Sequence, residues 1–386
     1  MPSQSPPDEG PVVLQLRTPG DLVAIVPYLI GFHPSHSLCA LALTGNRVPA
    51  CMRIDLPDDD GEIRAVLSAL AVLCDRASTK RKVDAVALVG YGTGPEVTPM
   101  MTAAIKWATE RGLYLEDAVR VDDERFWSYL CPDPACCPPE GQLVDRAASI
   151  VAEAVAQGVL ALADREEMAA LVAAIKGEQR AGMVTATEAA RAWLAGARAE
   201  QSARQARLWT YREGNRRIRA AITTYAAEET LSDTDTARLS VLLGDKAVRD
   251  AAWVLVNAAE VTIHRALWCD MTRRAVDNVE ACASLAAFAG YMAGDGALAN
   301  LALDRAAAAN PDYTMTHLVR QAVAAGMGFA EQWPFQTLEE QAAEQARING
   351  DDPADWLQAI ATHDVGTVEE PGAATGDITG IRKRSC

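Results

Sequence analysis

No segment of the 386-residue chain is apolar over a length that crosses a bilayer. The longest candidate, Leu22 to Phe32, runs for 11 residues and contains Pro27, whereas a spanning helix needs about 20. Positive charge is scarce: 36 Lys and Arg stand against 52 Asp and Glu, a net charge of −16. Broad binding to a phosphate backbone needs a cationic surface, so nucleic acid is not an expected partner, and neither is a membrane. Proline is absent from residue 140 to residue 310. Complete catalytic signatures are missing as well: there is no G-x-S-x-G and no H-E-x-x-H, and no Walker Lys-Ser/Thr follows a glycine-rich turn. The opening MPSQSPPDEG has neither a basic region nor an apolar one, so no secretory signal is expected there.

What is present suits a soluble globular protein. Hydrophobic residues make up 49% and charged residues 23%, enough apolar material for a sizeable core. At about 150 residues per domain, two domains are expected. Nine cysteines, an odd number spread over a long chain, fit reduced thiols in the cytoplasm better than a disulfide framework.

Proline and alanine divide the chain. Fifteen of the 19 prolines lie at or before Pro139, while 14 alanines fall in residues 1–130 and 50 in residues 147–330. Proline breaks helices and alanine favours them. The expected organisation is therefore an N-terminal mixed α/β sheet domain (12–130), a Cys/Pro-rich junction loop (131–141), and an Ala-rich helical domain (142–330). Short helices at 331–364 follow, with disordered ends at 1–11 and 365–386. Strands are expected at Val12–Arg17, Ser37–Leu43, Val48–Leu56, Val83–Val89, Ala118–Val121 and Arg125–Leu130. Helices are expected at Pro19–Phe32, capped by Thr18, at Glu62–Ala77 and at Pro95–Arg111. In the second half, Asp164 with Glu167 and Thr185 with Glu188 read as capping boxes. Thr185 to about Glu228 reads as one long helix, or as two broken near Gly214. Further helices are expected at Thr234–Leu243, Lys246–Ala258, Asp277–Ala293, Gly296–Ala309 and Thr314–Ala325.

The sharpest local feature is Cys131-Pro-Asp-Pro-Ala-Cys136-Cys137-Pro-Pro-Glu-Gly141. Three thiolates and an imidazole satisfy tetrahedral zinc, and His33 or His36 is positioned in sequence to supply the imidazole. The spacing departs from the usual pair of C-x2–4-C halves; thiol redox chemistry is another reading, and a rigid proline-rich linker whose small buried thiols pack the domain junction is favoured over both. Gly90-Tyr-Gly92-Thr-Gly94-Pro95 follows a strand and opens a helix, a place where free amides bind phosphate. Pro95 stands where a nucleotide fingerprint needs its third glycine, so a plain βα turn is the competing reading. The acidic run Asp55, Asp58, Asp59, Asp60 and Glu62 reads as a turn and helix cap. Arg204, Arg207, Arg212, Arg216, Arg217 and Arg219 form a basic helical stretch that ion pairing explains. Trp253 and Trp268 near Arg273 and Arg274 have the composition of a protein-recognition face, although tryptophans at helical spacing also fill cores. Within Ala283–Pro311, Ala299, Leu303, Ala306 and Pro311 fall as in a tetratricopeptide-like helix pair.

Several strings are shared with a known group. Leu16-Arg-Thr-Pro-Gly-Asp-Leu22, Val26-Pro-Tyr-Leu-Ile-Gly-Phe-His-Pro34, Trp127-Ser-Tyr-Leu-Cys131 and the cysteine loop resemble an uncharacterised family of actinobacteria and their phages, domain of unknown function 4192. Val248-Arg-Asp-Ala-Ala-Trp253 and Ala293-Gly-Asp-Gly-Ala-Leu298 look like its later blocks. The resemblance spans about residues 12–330 and implies a cytoplasmic actinobacterial origin, but it points to no particular activity, cofactor or catalytic residue.

Two classes of function follow. The first is a non-enzymatic binding or regulatory protein that offers its helical half to another protein. The second is an enzyme, or a zinc- or nucleotide-binding protein, whose site lies where the Gly90–Gly94 turn, His33 and the cysteine loop meet. Convergent polar groups in a junction pocket favour the second; an apolar groove on the helices favours the first.

Overall fold

The computed structural model describes residues 18–45, 47–77, 82–156, 160–325 and 336–361. The strand expected at Val12–Arg17 and the two disordered ends fall outside these residues. Helix α1 (Pro19–Ile30) starts as its sequence dictates. The Asp21 amide donates to the Thr18 hydroxyl at 3.1 Å, and the Thr18 amide donates to the Asp21 carboxylate at 3.0 Å, a reciprocal cap followed by Pro19 where no amide is needed. Gly31, at φ 91°, ends the helix and donates its amide to the Pro27 carbonyl. That left-handed residue stops the helix before the Phe32 expected from sequence.

A hairpin of β1 (Ser37–Thr44) and β2 (Arg47–Asp55) comes next, then α2 (Asp60–Ala77), β3 (Ala85–Tyr91), α3 (Gly94–Glu110), β4 (Tyr114–Asp122), β5 (Arg125–Ser128) and β6 (Gln142–Leu143). They form one sheet in the order β2-β1-β3-β4-β5-β6. Only β3 and β4 are parallel, joined by α3; every other neighbouring pair is antiparallel. Alternation along the strands sorts the faces. Leu38, Ala40, Leu88 and Ala118 meet Val66 and Leu70 of α2 and Val97, Met100 and Met101 of α3. Cys39, Leu41, Val89 and Val119 face the other way, onto Leu22, Val23 and Val26 of α1. The expected mixed sheet with helices on it is thus present. Its last strand corrects the sequence reading, however: β6 lies after the cysteine loop and pairs with β5, so strands continue to Leu143 instead of ending near residue 131. Two residues carry no readable periodicity, and only pairing with β5 makes them a strand.

From residue 149 every described element is helical: α4 (Ser149–Ala156), α5 (Arg165–Ala170), α6 (Gly177–Ala199), α7 (Ala203–Ala226), α8 (Asp233–Leu242), α9 (Lys246–Leu255), α10 (Val261–Arg274), α11 (Val279–Met292), α12 (Gly296–Ala309), α13 (Thr314–Ala324), α14 (Leu338–Asn349) and α15 (Pro353–Ile360). No helix among the described residues is long and apolar enough to cross a membrane. Two sequence expectations are corrected. Thr185 does not cap a helix: it lies inside α6, and its hydroxyl donates to the Ala181 carbonyl at 3.3 Å. The long helix does not break at Gly214 but at residues 200–202, where Ser202 and Gln205 cap α7 reciprocally. Gly214 is a packing glycine, since a Cβ there would stand 2.5 Å from Val248 Cγ1.

Helices α11 and α12 form a close hairpin, with Ala299, Leu303 and Ala306 fully buried and Pro311 just beyond its end. Four arginines of the basic stretch of α7 are paired: Arg204 and Arg207 reach Asp351, Arg216 reaches Glu213, and Arg217 bridges Glu213 and Asp235. Secondary structure therefore changes character close to where the proline map does, but the apolar core continues across that point. One cluster runs from Val89 and Val119 of the sheet through Val26, Phe32 and Met168 to Trp268 and Leu285 of the helices.

Candidate functional site

In sheets with parallel strands, ligands sit in the crevice outside the carboxyl ends of those strands. Strands β3 and β4 end side by side at Tyr91 and Val121, and a cleft of about 410 Å³ opens there. Its back wall is apolar and comes from α1 through Val23, Ala24 and Pro27. The loop after α1 brings His33 and His36; β3 brings Tyr91 and Gly92; the β4–β5 turn brings Asp122 and Asp123; and the segment after β6 brings Arg146.

Each of these groups is set by its local chain. The His33 amide donates to the Leu162 carbonyl at 3.0 Å, and the Leu162 amide donates to the Gly31 carbonyl at 2.8 Å, so a distant segment clamps the loop. The Tyr28 ring meets the His33 imidazole edge-on at 6.4 Å. Partial burial, and then the positive charge of Arg146, hold His33 below its ordinary value, so the imidazole is neutral near pH 7 and able to accept a proton. His36 sits in the left-handed region at φ 43°, with Nδ1 3.7 Å from Glu96 Oε1. Arg120 reaches Asp122 at 3.1 Å. Tyr91 is 8% exposed, and its hydroxyl has no hydrogen-bond partner among the described residues. Burial pushes that hydroxyl well above its usual value, so it stays protonated and is a donor without an acceptor. A buried hydroxyl left in this state costs about 1–3 kcal/mol.

The glycine-rich turn lies at this cleft, but not as a phosphate cradle. The Gly92 amide donates to the Val121 carbonyl at 2.9 Å, and the Thr93 amide donates to Glu96 Oε2 at 2.8 Å. The anion at this helix start is thus the protein's own Glu96, held below the usual carboxylate range chiefly by the Thr93 hydroxyl and amide. Gly90 serves packing, since a Cβ there would stand 2.2 Å from Val97 Cγ1, and Gly94 begins α3.

The cysteine loop brings its three thiols together. The sulfurs of Cys131, Cys136 and Cys137 all lie within 4.8 Å of one another, and His33 is not in that group. The amides of Cys136 and Cys137 both donate to the Asp133 carbonyl, at 3.1 and 2.7 Å, folding the chain back toward Cys131. The Ser128 hydroxyl accepts the Cys131 amide, and Gln142 Nε2 donates to the Cys136 carbonyl at 2.6 Å. The Asp133 amide holds the Cys131 thiol below its ordinary value, while burial pushes Cys137 up to about 12.

The recognition face expected on the helices is largely built into the fold. Trp268 is fully buried in the core. The Arg274 guanidinium bridges Asp233 at 2.7 Å and Asp270 at 3.0 Å and donates to the Leu231 carbonyl. Trp253 is half-buried with its ring edge-on to Phe288, and Arg273 alone of the four is exposed. Of the groups that sequence reasoning brought together, His33 and Gly92 line this cleft and the three cysteines do not. That reasoning missed Tyr91 and Arg146, which are adjacent only through the strand order.

A family model described as Domain of unknown function (DUF4192) matches residues 19–328. No curated protein and no solved structure matches the chain.

Proposed function

Since this chain belongs to the family described as Domain of unknown function (DUF4192), whose description carries no activity, we propose that its site is the cleft at the ends of β3 and β4 and that it binds a small anionic ligand there. The supporting observation is that Arg146, His33 and Tyr91, brought from three separate segments, line one cleft at the carboxyl ends of the parallel pair. A carboxylate or phosphate would pair with the exposed Arg146 guanidinium, while Asp122 on the same rim is already engaged by Arg120. The apolar wall of α1 would take the rest of the ligand. His33, neutral near pH 7, is placed to act as a proton acceptor if the bound molecule reacts. A volume near 410 Å³ suits a small molecule and not a polymer.

Docking of another protein on the helical half is the weaker reading. Of the four residues it invoked, Trp268 and Arg274 are committed to core and ion pairs, leaving Arg273 and half-buried Trp253.

The test is a thermal-shift screen of the full chain against small carboxylates and phosphate esters, followed by calorimetry. Arg146→Ala should weaken a hit by about 10- to 100-fold, the range for a hydrogen bond to a charged group. Hits whose affinity that variant leaves unchanged would overturn the reading, as would a screen without hits.

A further inference from the structure

We propose that Cys131, Cys136 and Cys137 form a three-thiolate zinc site whose fourth position is open to solvent. The donor set is all sulfur: three thiols whose sulfurs lie within 4.8 Å of one another, the Cys136 and Cys137 sulfurs being 4.0 Å apart. Tetrahedral zinc with bonds of about 2.3 Å to sulfur holds its ligands about 3.8 Å apart, so a contraction of about 1 Å at most completes the geometry. Oxygen-seeking ions are excluded by the donors.

The loop is prepared for this before any ion arrives. The turn closed on the Asp133 carbonyl brings Cys136 and Cys137 back toward Cys131. Trp127 Nε1 donates to the Pro139 carbonyl at 2.9 Å, and Gln142 Nε2 points at the Cys137 sulfur from 3.8 Å. Such outer contacts orient ligands and stabilise charge on sulfur. No histidine or carboxylate joins the group among the described residues, and Cys136 is exposed. The coordination sphere therefore ends at three protein ligands, the count that leaves zinc a place for water. His33, the imidazole expected from sequence, belongs to the cleft instead.

The experiment uses the reduced full-length chain, loaded with zinc under anaerobic conditions, dialysed and measured by elemental analysis. Cobalt is added in parallel to read sulfur-to-metal charge-transfer absorption. One metal per chain is expected. Cys131→Ser, Cys136→Ser and Cys137→Ser should each weaken binding by about tenfold or more, whereas His33→Ala should leave it unchanged. Absence of retained metal overturns the proposal, as does metal kept by the triple serine variant or lost in His33→Ala. If the serine variants do not fold, alkylation of the unaltered chain decides. Zinc should slow iodoacetamide labelling of Cys136 and Cys137, and equal labelling with and without zinc overturns the proposal.

Discussion

The guanidinium of Arg120 lies 3.8 Å from the ring centre of Trp127, directly across the antiparallel pair β4–β5. Each partner is engaged on its other side. Arg120 binds Asp122 at the mouth of the cleft, and Trp127 holds Pro139 of the cysteine loop through its indole N–H. Gly141 completes the bracket: it sits at φ 80°, and a Cβ there would stand 2.5 Å from the indole. One cross-strand stack thus joins the acidic edge of the cleft to the segment that carries the three thiols.

Trp127→Ala should cut that link. The stack and the indole hydrogen bond together predict a loss of about 1–2 kcal/mol, readable as a lower denaturation midpoint. Labelling of Cys136 and Cys137 should accelerate, because the loop loses its anchor to β5. Unchanged labelling rates would show that the loop is held without Trp127.

Arg273 and Arg274 are adjacent in sequence and should behave differently. Arg274→Ala leaves Asp270, itself largely buried, without its cation and strands the Leu231 carbonyl. A cost of about 2–4 kcal/mol is expected for breaking such a partly buried network. Arg273 is exposed, so Arg273→Ala should change stability by about 0.5 kcal/mol or less. Urea unfolding of the two variants checks both; equal losses would contradict the network.

Acid should weaken the fold through His264. This residue of α10 is fully buried, neither ring nitrogen has a hydrogen-bond partner among the described residues, and burial holds its imidazole below the ordinary 6.5, only partly offset by the Glu260 carboxylate. The unfolded chain takes up the proton first as pH falls, so the folded state loses stability from about pH 6.5 downward, until its own imidazole protonates. Melting temperatures at pH 7.5 and 5.5 should differ less in His264→Gln than in the unaltered chain. An identical pH dependence in both would remove His264 as a cause.

Local signals read well from sequence where the physics is local. Thr18, Asp21 and Pro19 start α1 as written, and Gly296–Ala309 is a helix over the range expected of it, with Asp295 capping. Reading failed where a distant residue decides. Thr185 and Glu188 have the spacing of a capping box, but Thr185 bonds back to Ala181 because tertiary packing extends α6 eight residues further toward the N-terminus. Gly214 reads as a breaker, yet it is needed because Val248 packs onto that point of α7. The same holds for the site. His33 was visible as a loop histidine and the cysteines as a cluster, since both are contiguous strings. Tyr91 and Arg146 are 55 positions apart and share a cleft only because β3 lies beside β4 and the chain returns through β6. No pattern in one sequence encodes that order.

The continuous core also constrains how the cleft works. Val23 and Tyr91 in its lining, with the strand residues behind them, belong to the same apolar cluster as Trp268 and Leu285. Swinging one wall away from the other would part packed hydrocarbon and let water in, at about 25 cal/mol for each Å² exposed. The site is therefore a mould with a set shape and not a jaw. For the ligand binding proposed above, a homologous series should therefore meet a sharp size limit instead of a gradual decline in affinity.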